Sequence, residues 1–314
     1  MTSDYVPVID LGAGTEGKYD PQSAVSAAVA EACRTSGFFV IVGHGVPGAT
    51  VTQAYGAFQE FFRSDHEFKA AVSADSMDPL FRGYIPGERH EQFYANRLGE
   101  LTDVEEARTL NNRLCGTNRW PTVPGLRQSA LAYYEAMEQL AGRLIEIFAR
   151  ILDVAPEVLH GFFDQHMSPL VCNYYSPQPV PPPRGSLRNE KHRDWCAFTI
   201  LFQDNSPGGL QVQYEKDVWI DVPHVPDSFV VNLGQIMTLW SGGRLASTVH
   251  RVVNPSRMDA HSDRISIPFF AHPNPNLPLR PLEADVSLAH ETAGEFHIRM
   301  ADLAQQWHAV NGYY

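Results

Sequence analysis

The chain has 314 residues, 44% of them hydrophobic and 19% charged, with a formal net charge of -12. That is enough sequence for a large buried core, and the composition is too apolar for disorder. The acidic balance argues against tight non-specific binding to nucleic acid or anionic lipid, since no basic stripe offsets it.

"MTSDYVPVID" opens the chain with neither a positive n-region nor an apolar h-region, and no segment approaches the roughly 18 apolar residues of a membrane span. The expectation is a cytoplasmic protein, a monomer or weak homo-oligomer, with neither nucleic acid nor membrane as partner. Cys33, Cys115, Cys172 and Cys196 are scattered and form no C-x-x-C pair. They are therefore read as buried reduced thiols rather than a disulfide framework or a zinc knot.

Helices dominate the first 150 residues. "DPQSAVSAAVAEACRTSG" offers Asp20 as N-cap, Pro21 at the first helical position, Val25, Val29 and Cys33 four apart, and Gly37 as terminator. After the apolar β-run "FFVIVGH", a second helix gathers Val51, Tyr55, Phe58 and Phe62 on one face. A third runs from about Gln128 to Leu152.

From residue 168 short stretches rich in Val, Ile, Phe and Tyr alternate with Pro, Gly and Asn turns, the spacing of a sandwich or jelly roll. A last helix is predicted over Ala293 to His308. The expected class is α+β with a mainly β core. It would be a double-stranded β-helix (jelly roll) flanked by helices, divided into a dependent N-terminal helical region (1–150), a jelly-roll core (165–285) and a C-terminal helical segment (286–314).

Within "NEKHRDWCAFT", a regular strand would place His192 and Asp194 on one face. His250, in the strand-like "STVHRVV" 58 residues later, could face them across the barrel mouth. Two imidazoles and a carboxylate on one octahedral face suit non-haem Fe(II), which keeps three positions open, better than tetrahedral zinc. The carboxylate also argues against halogenation, which needs that position vacated. Arg264 and Ser266, in "DRISIPFF", alternate onto one strand face and form a directional clamp for a carboxylate. Cys196 shares the ligand face but is read as pocket wall or core, and His44, His66 and His90 as structural or solvated.

These segments resemble the isopenicillin N synthase-like branch of the 2-oxoglutarate and Fe(II)-dependent dioxygenases almost end to end. "VPVIDL", "GFFVIVGHGVP", "RGY" and "NRWPTVPGLR" match in the first half; "NYYSP", "HRDWCAFTILFQD", "GGLQV", "VVNLGQIMTLWSGGRLASTVHRVV" and "RISIPFF" match in the second. The resemblance implies His192, Asp194 and His250 as catalytic iron ligands, and Arg264, Ser266, Tyr175 and Asn173 as 2-oxoglutarate-binding residues. It implies Phe270 as a substrate contact.

It further implies a non-haem oxygenase with O2 as second co-substrate, releasing succinate and CO2. Hydroxylation of an unactivated C–H is the default, with desaturation, epoxidation or cyclisation as variants, on a small molecule of specialised metabolism. The alternatives are a same-fold Fe(II) oxidase that does not use 2-oxoglutarate, a protein hydroxylase, and a non-catalytic metal-binding module. The segments 78–94 and 176–191 and the C-terminal helix are expected to border the pocket of a catalytic core at 165–285.

Overall fold

The structure, a computed structural model, describes residues 5–12, 24–99, 112–114, 116–180, 182–206, 209–284 and 289–311, with side chains as far as 306 in the last stretch. Asp20, Pro21 and Cys115 lie outside the described residues.

In the N-terminal half, β1 (Val8–Asp10), α1 (Ala24–Thr35), β2 (Phe38–Val42), α2 (Gly48–Arg63) and α3 (His66–Ala70) precede β3 (Gly83–Ile85) and β4 (Glu91–Asn96). The long α4 (Leu126–Ile151) and the short α5 (Pro156–Gly161) follow. Val25, Val29 and Cys33 are buried along α1. Helix α1 ends where Gly37 takes φ +67° and returns its N–H to Ala32 O at 2.8 Å. A Cβ there would lie 2.1 Å from Ala246 O, so this terminator is fixed by tertiary packing as well as by backbone conformation.

Strands β5 (Pro169–Tyr175), β6 (Asn189–His192), β7 (Phe198–Gln203), β8 (Leu210–Glu215), β9 (Val218–Asp221) and β10 (Phe229–Leu233) come next, then α6 (Gln235–Trp240). The chain closes with β11 (His250–Val252), β12 (Arg264–Ala271) and α7 (Ala293–Asn311). An eight-stranded sheet, ordered β1-β2-β10-β7-β12-β5-β4-β3, faces a four-stranded one ordered β6-β11-β8-β9. Two sheets rolled on one another in this way are the expected jelly roll.

The larger sheet does not stop at the catalytic half. β2 pairs antiparallel with β10, and β4 with β5, so strands from the first hundred residues extend the core sheet on both sides. This explains why β2, "FFVIV", is apolar along its length: it lies between neighbours and is buried rather than alternating. Helix α4 buries Tyr133, Met137, Leu140, Leu144 and Ile147 along one stripe. Tyr133 and Tyr134 also donate hydroxyl hydrogen bonds to Ile267 O (3.2 Å) and Ser168 O (2.7 Å), tying the helix to β12 and to the entry of β5.

Candidate active site

The strand predicted to run through His192 and Asp194 stops at His192. Asp194 sits in the turn that leads to β7, and its backbone carbonyl accepts the Gln235 N–H at 2.9 Å. Gly234 packs beneath this turn, where an added Cβ would be 2.0 Å from Cys196 O. The turn bends the Asp194 carboxylate back over the strand it has left.

His250 does not face His192 across the barrel mouth, as the sequence spacing implied. The two are direct cross-strand partners on β11 and β6, with ring centroids 4.2 Å apart. Antiparallel pairing accounts for this: adjacent strands bring opposed residues together on one face.

His192, Asp194 and His250 each offer one ligand atom, and these atoms lie within 4.8 Å of one another. Asp194 Oδ1 is 3.7 Å from His192 Nε2 and 3.4 Å from His250 Nε2. The imidazole tautomers follow from the other ring nitrogens. His192 Nδ1 donates to Glu190 O at 2.7 Å and His250 Nδ1 to Thr248 O at 3.1 Å, so in the neutral rings both Nε2 atoms present bare lone pairs. Two imidazole nitrogens and a carboxylate oxygen thus converge on one point, a donor set that could hold a cation. Burial and the His250 charge lower the pKa of His192, against the pull of Asp194. Burial alone would raise Asp194, but His250 and His192 outweigh it and hold the carboxyl well below its usual range.

The second carboxylate oxygen is tied off. Asp194 Oδ2 accepts Thr199 Oγ1 at 2.6 Å and Asn232 Nδ2 at 2.7 Å, which leaves Oδ1 facing the two imidazoles. Cys196 is buried, with Sγ 3.3 Å from Thr199 Oγ1, and belongs to the core behind the site. Cys33 and Cys172 are buried free thiols, as expected.

Two cavities meet here. The inner one, about 60 Å³, is bordered by Tyr175, His192, Asp194, His250, Arg264 and Ser266 among others. Arg264 stands opposite Tyr175, and Ser266 opposite Asn173, in the β12–β5 register. Arg264 is 2% exposed, yet its Nη1 has no hydrogen-bond partner among the described residues. Asn173 donates to Ser266 Oγ at 3.3 Å and accepts from Gln92 Nε2 at 2.8 Å.

The outer cavity, about 300 Å³, opens on His192, Asp194 and Phe270, with Phe81, His90, Trp195, His272 and His297 along its walls. Phe270 and Asn173 border both spaces. Phe81 adopts φ +55°, uncommon for a bulky residue, beside the buried Asp78–Arg82 ion pair at 2.7 Å.

His44 is a buried structural histidine, its Nε2 donating to Asp227 O at 3.2 Å. His90 stacks on Tyr175 with centroids 5.2 Å apart and borders the outer cavity. His272 and His297 were not singled out from sequence. Both are buried, edge to face at 4.8 Å, and burial and mutual repulsion lower His272 well below its usual range.

Comparison with known proteins agrees with this geometry. Residues 167–273 match the 2OG-Fe(II) oxygenase superfamily, and residues 6–123 match the N-terminal region described as "non-haem dioxygenase in morphine synthesis". The 2-oxoglutarate-dependent dioxygenase tropC of Talaromyces stipitatus is 30% identical over 304 residues, which cover 89% of this chain and 90% of that one. The 2-oxoglutarate-dependent dioxygenase citB of Monascus ruber is 32% identical over 308 residues, covering 90% and 89%. Among solved structures, JOX2 in complex with 2OG, Fe and JA superposes with a TM-score of 0.72 at 27% identity, covering 88% of this chain and 78% of that one. A full-length Neurospora crassa protein, solved in complex with alpha-KG and thymine, shares the fold with a TM-score of 0.82 at 21% identity, covering 95% and 97%.

The chain belongs to the 2-oxoglutarate- and Fe(II)-dependent dioxygenases. It is an oxidoreductase that uses Fe(II), 2-oxoglutarate and O2.

Proposed function

We propose that His192, Asp194 and His250 hold the iron, that Arg264, Ser266 and Tyr175 bind the distal carboxylate of 2-oxoglutarate with Asn173 supporting the pair, and that the outer cavity receives the substrate at Phe270. The single observation that supports this most is the pair of fixed tautomers, which turns two lone pairs and a buried carboxylate oxygen toward one point. Three protein donors leave room for a chelating co-substrate and O2. Bound iron supplies the oxidative decarboxylation of 2-oxoglutarate to succinate and CO2, coupled to oxidation of an unactivated C–H bond.

The chain's own residues bind and orient. Thr199 and Asn232 keep Asp194 from rotating. The Arg264 guanidinium, buried with an unpaired N–H, is ready for a carboxylate at the far end of the inner cavity. Tyr175 stays protonated as a donor, because burial raises its pKa against the lowering pull of Arg264, Ser266 and Arg188. Phe270 and Trp195 give the outer cavity apolar walls, which favour an apolar or aromatic portion of the substrate and limit water there. Hydroxylation of such a molecule, in specialised metabolism, is the reading we favour, in a cytoplasmic protein that works without nucleic acid or membrane. No helix among the described residues is long and apolar enough to cross a membrane.

The test is anaerobic titration of the Fe(II)-loaded protein with 2-oxoglutarate, followed by calorimetry and by the visible absorption that chelation of a 2-oxo acid produces. Wild type is expected to bind with that absorption, Arg264→Ala to bind at least ten times more weakly, as loss of a charge-assisted pair requires, and Asp194→Ala to lose iron while keeping the wild-type circular dichroism. An Asp194→Ala variant that still oxidises substrate without added carboxylate would overturn the ligand assignment. Binding of iron without any response to 2-oxoglutarate would overturn the inner-cavity assignment.

A further inference from the structure

Arg188 is 1% exposed, and among the described residues its Nε and Nη1 have no hydrogen-bond partner. Its Nη2 donates to Ser176 O at 3.3 Å, and no carboxylate among the described residues lies within ion-pair distance of it. Asp204, an acidic group whose charge reaches it, is occupied elsewhere: Oδ2 accepts Ile265 N at 2.7 Å and Oδ1 accepts Ser206 N at 3.1 Å. A buried guanidinium without a counter-anion is costly unless an anion arrives from outside the chain.

The placement indicates where that anion would sit. The Arg188 guanidinium carbon is 5.6 Å from the centroid of the Tyr175 ring, and that of Arg264 is 5.1 Å from the same centroid. One tyrosine thus has two guanidiniums against it. Burial and the charge of Arg264 lower the pKa of Arg188 to about 10, so it remains a cation at neutral pH. Its backbone N–H bonds to Val252 O at 2.9 Å, and Val252 and the adjacent Asn189 both border the inner cavity. Arg188 itself does not line that cavity, and the outer one is lined by neither Arg188 nor Tyr175.

We propose that Arg188 is a positioning residue for the co-substrate: a second cation behind Tyr175 that strengthens and selects the distal carboxylate of 2-oxoglutarate. The inference rests on the reading that Arg264, Ser266 and Tyr175 bind that carboxylate. Arg188 acts in two ways. Its charge adds to the positive potential at the closed end of the cavity, and its contact with the ring holds the Tyr175 hydroxyl in place for the anion.

The experiment compares two ligands on the full-length Fe(II)-loaded protein under anaerobic conditions: 2-oxoglutarate, and 2-oxovalerate, which has a methyl group in place of the distal carboxylate. Arg188→Gln keeps a donor for Ser176 O without the charge, Arg188→Met removes both, and Arg188→Lys restores the charge. Loss of a unit charge close to a buried carboxylate, at an effective dielectric of ~20, predicts that the Gln and Met variants bind 2-oxoglutarate at least about tenfold more weakly.

Their affinity for 2-oxovalerate should stay within about twofold of wild type, and Arg188→Lys should recover most of the loss, because the shared term is charge. In turnover the Gln variant should raise KM for 2-oxoglutarate and leave kcat near wild type. Equal weakening for both acids, no recovery with Lys, or unchanged 2-oxoglutarate affinity in the Gln variant would each overturn the inference. If Met fails to fold, Gln and Lys decide. Arg264→Ala separates the two readings: if it also leaves the affinity unchanged, the inner-cavity assignment is what fails.

Discussion

The carboxylate of Asp194 divides the work of its two oxygens, one anchored by Thr199 and Asn232 and the other aimed with the two imidazoles. Replacing Thr199 by Val removes one anchor at nearly constant volume. Iron affinity should fall by about 10- to 100-fold, the usual effect of losing such an outer partner, with the fold retained. A metal titration of Thr199→Val that matches wild type would show that Asn232 alone suffices.

His297 makes a different prediction at the same scale. It is buried, donates from Nε2 to Pro79 O at 2.9 Å, and has no partner at Nδ1 among the described residues, where His272, Trp195 and Asp78 are ionisable or aromatic neighbours. Burial pushes its pKa down to about 4. The unfolded chain therefore takes up a proton near pH 6.5 that the folded chain refuses until about pH 4, so stability present above pH 6.5 is lost as pH falls through that window. His297→Gln should flatten the acid limb of the stability profile, measured by urea midpoint against pH, by up to one proton. An unaltered slope would mean that the group titrates normally.

At the scale of elements, the β6–β7 turn decides whether the ligands meet. Gly234 is extended, with φ -100°, so its requirement is spatial: a Cβ would meet Cys196 O and approach Asp194 O at 3.1 Å. Gly234→Ala should destabilise the protein by about 1–3 kcal/mol, as overpacking does, and should weaken iron binding as well. A melting temperature and iron affinity equal to wild type would show that the turn yields without consequence.

Such features also set the limit of what was legible in the sequence. His192 and Asp194 could be found because two residues in one short stretch remain neighbours whatever the fold. Their true positions, one at a strand end and one in a turn, could not, since the turn packs on Gly234 and bonds to Gln235, about forty residues away. His90, His272 and His297 come from a loop, the residue just past β12 and α7, and no spacing links them. Arg188 has an unremarkable sequence context, and only its burial without an anion distinguishes it.

Across the whole molecule, the larger sheet draws β1–β4 from the first hundred residues and β5, β7, β10 and β12 from the second half. We propose that the N-terminal region, the core and the C-terminal helix form one cooperative unit. A single calorimetric transition is expected for the full chain, with van't Hoff and calorimetric enthalpies in agreement. The fragment 165–285 should lack cooperative unfolding, because it exposes both flanks of its main sheet and the surface that α4 covers. Two resolved transitions, or a cooperatively folded fragment, would contradict this.

Strand β12 also works as a ruler. Arg264 and Ser266 mark its inner end, and Phe270, about 20 Å of extended chain from Arg264, marks the end that opens on the outer cavity, with His272 just beyond. Hydrogen-bonded to β5 on one side and β7 on the other, the strand cannot stretch to suit a new ligand. On our reading the two ends are therefore under separate selection. The Arg264 end answers to a co-substrate that never changes, while residues 270–272 and the segments facing them remain free to diverge, so the enzyme can acquire a new substrate without recalibrating its oxidant.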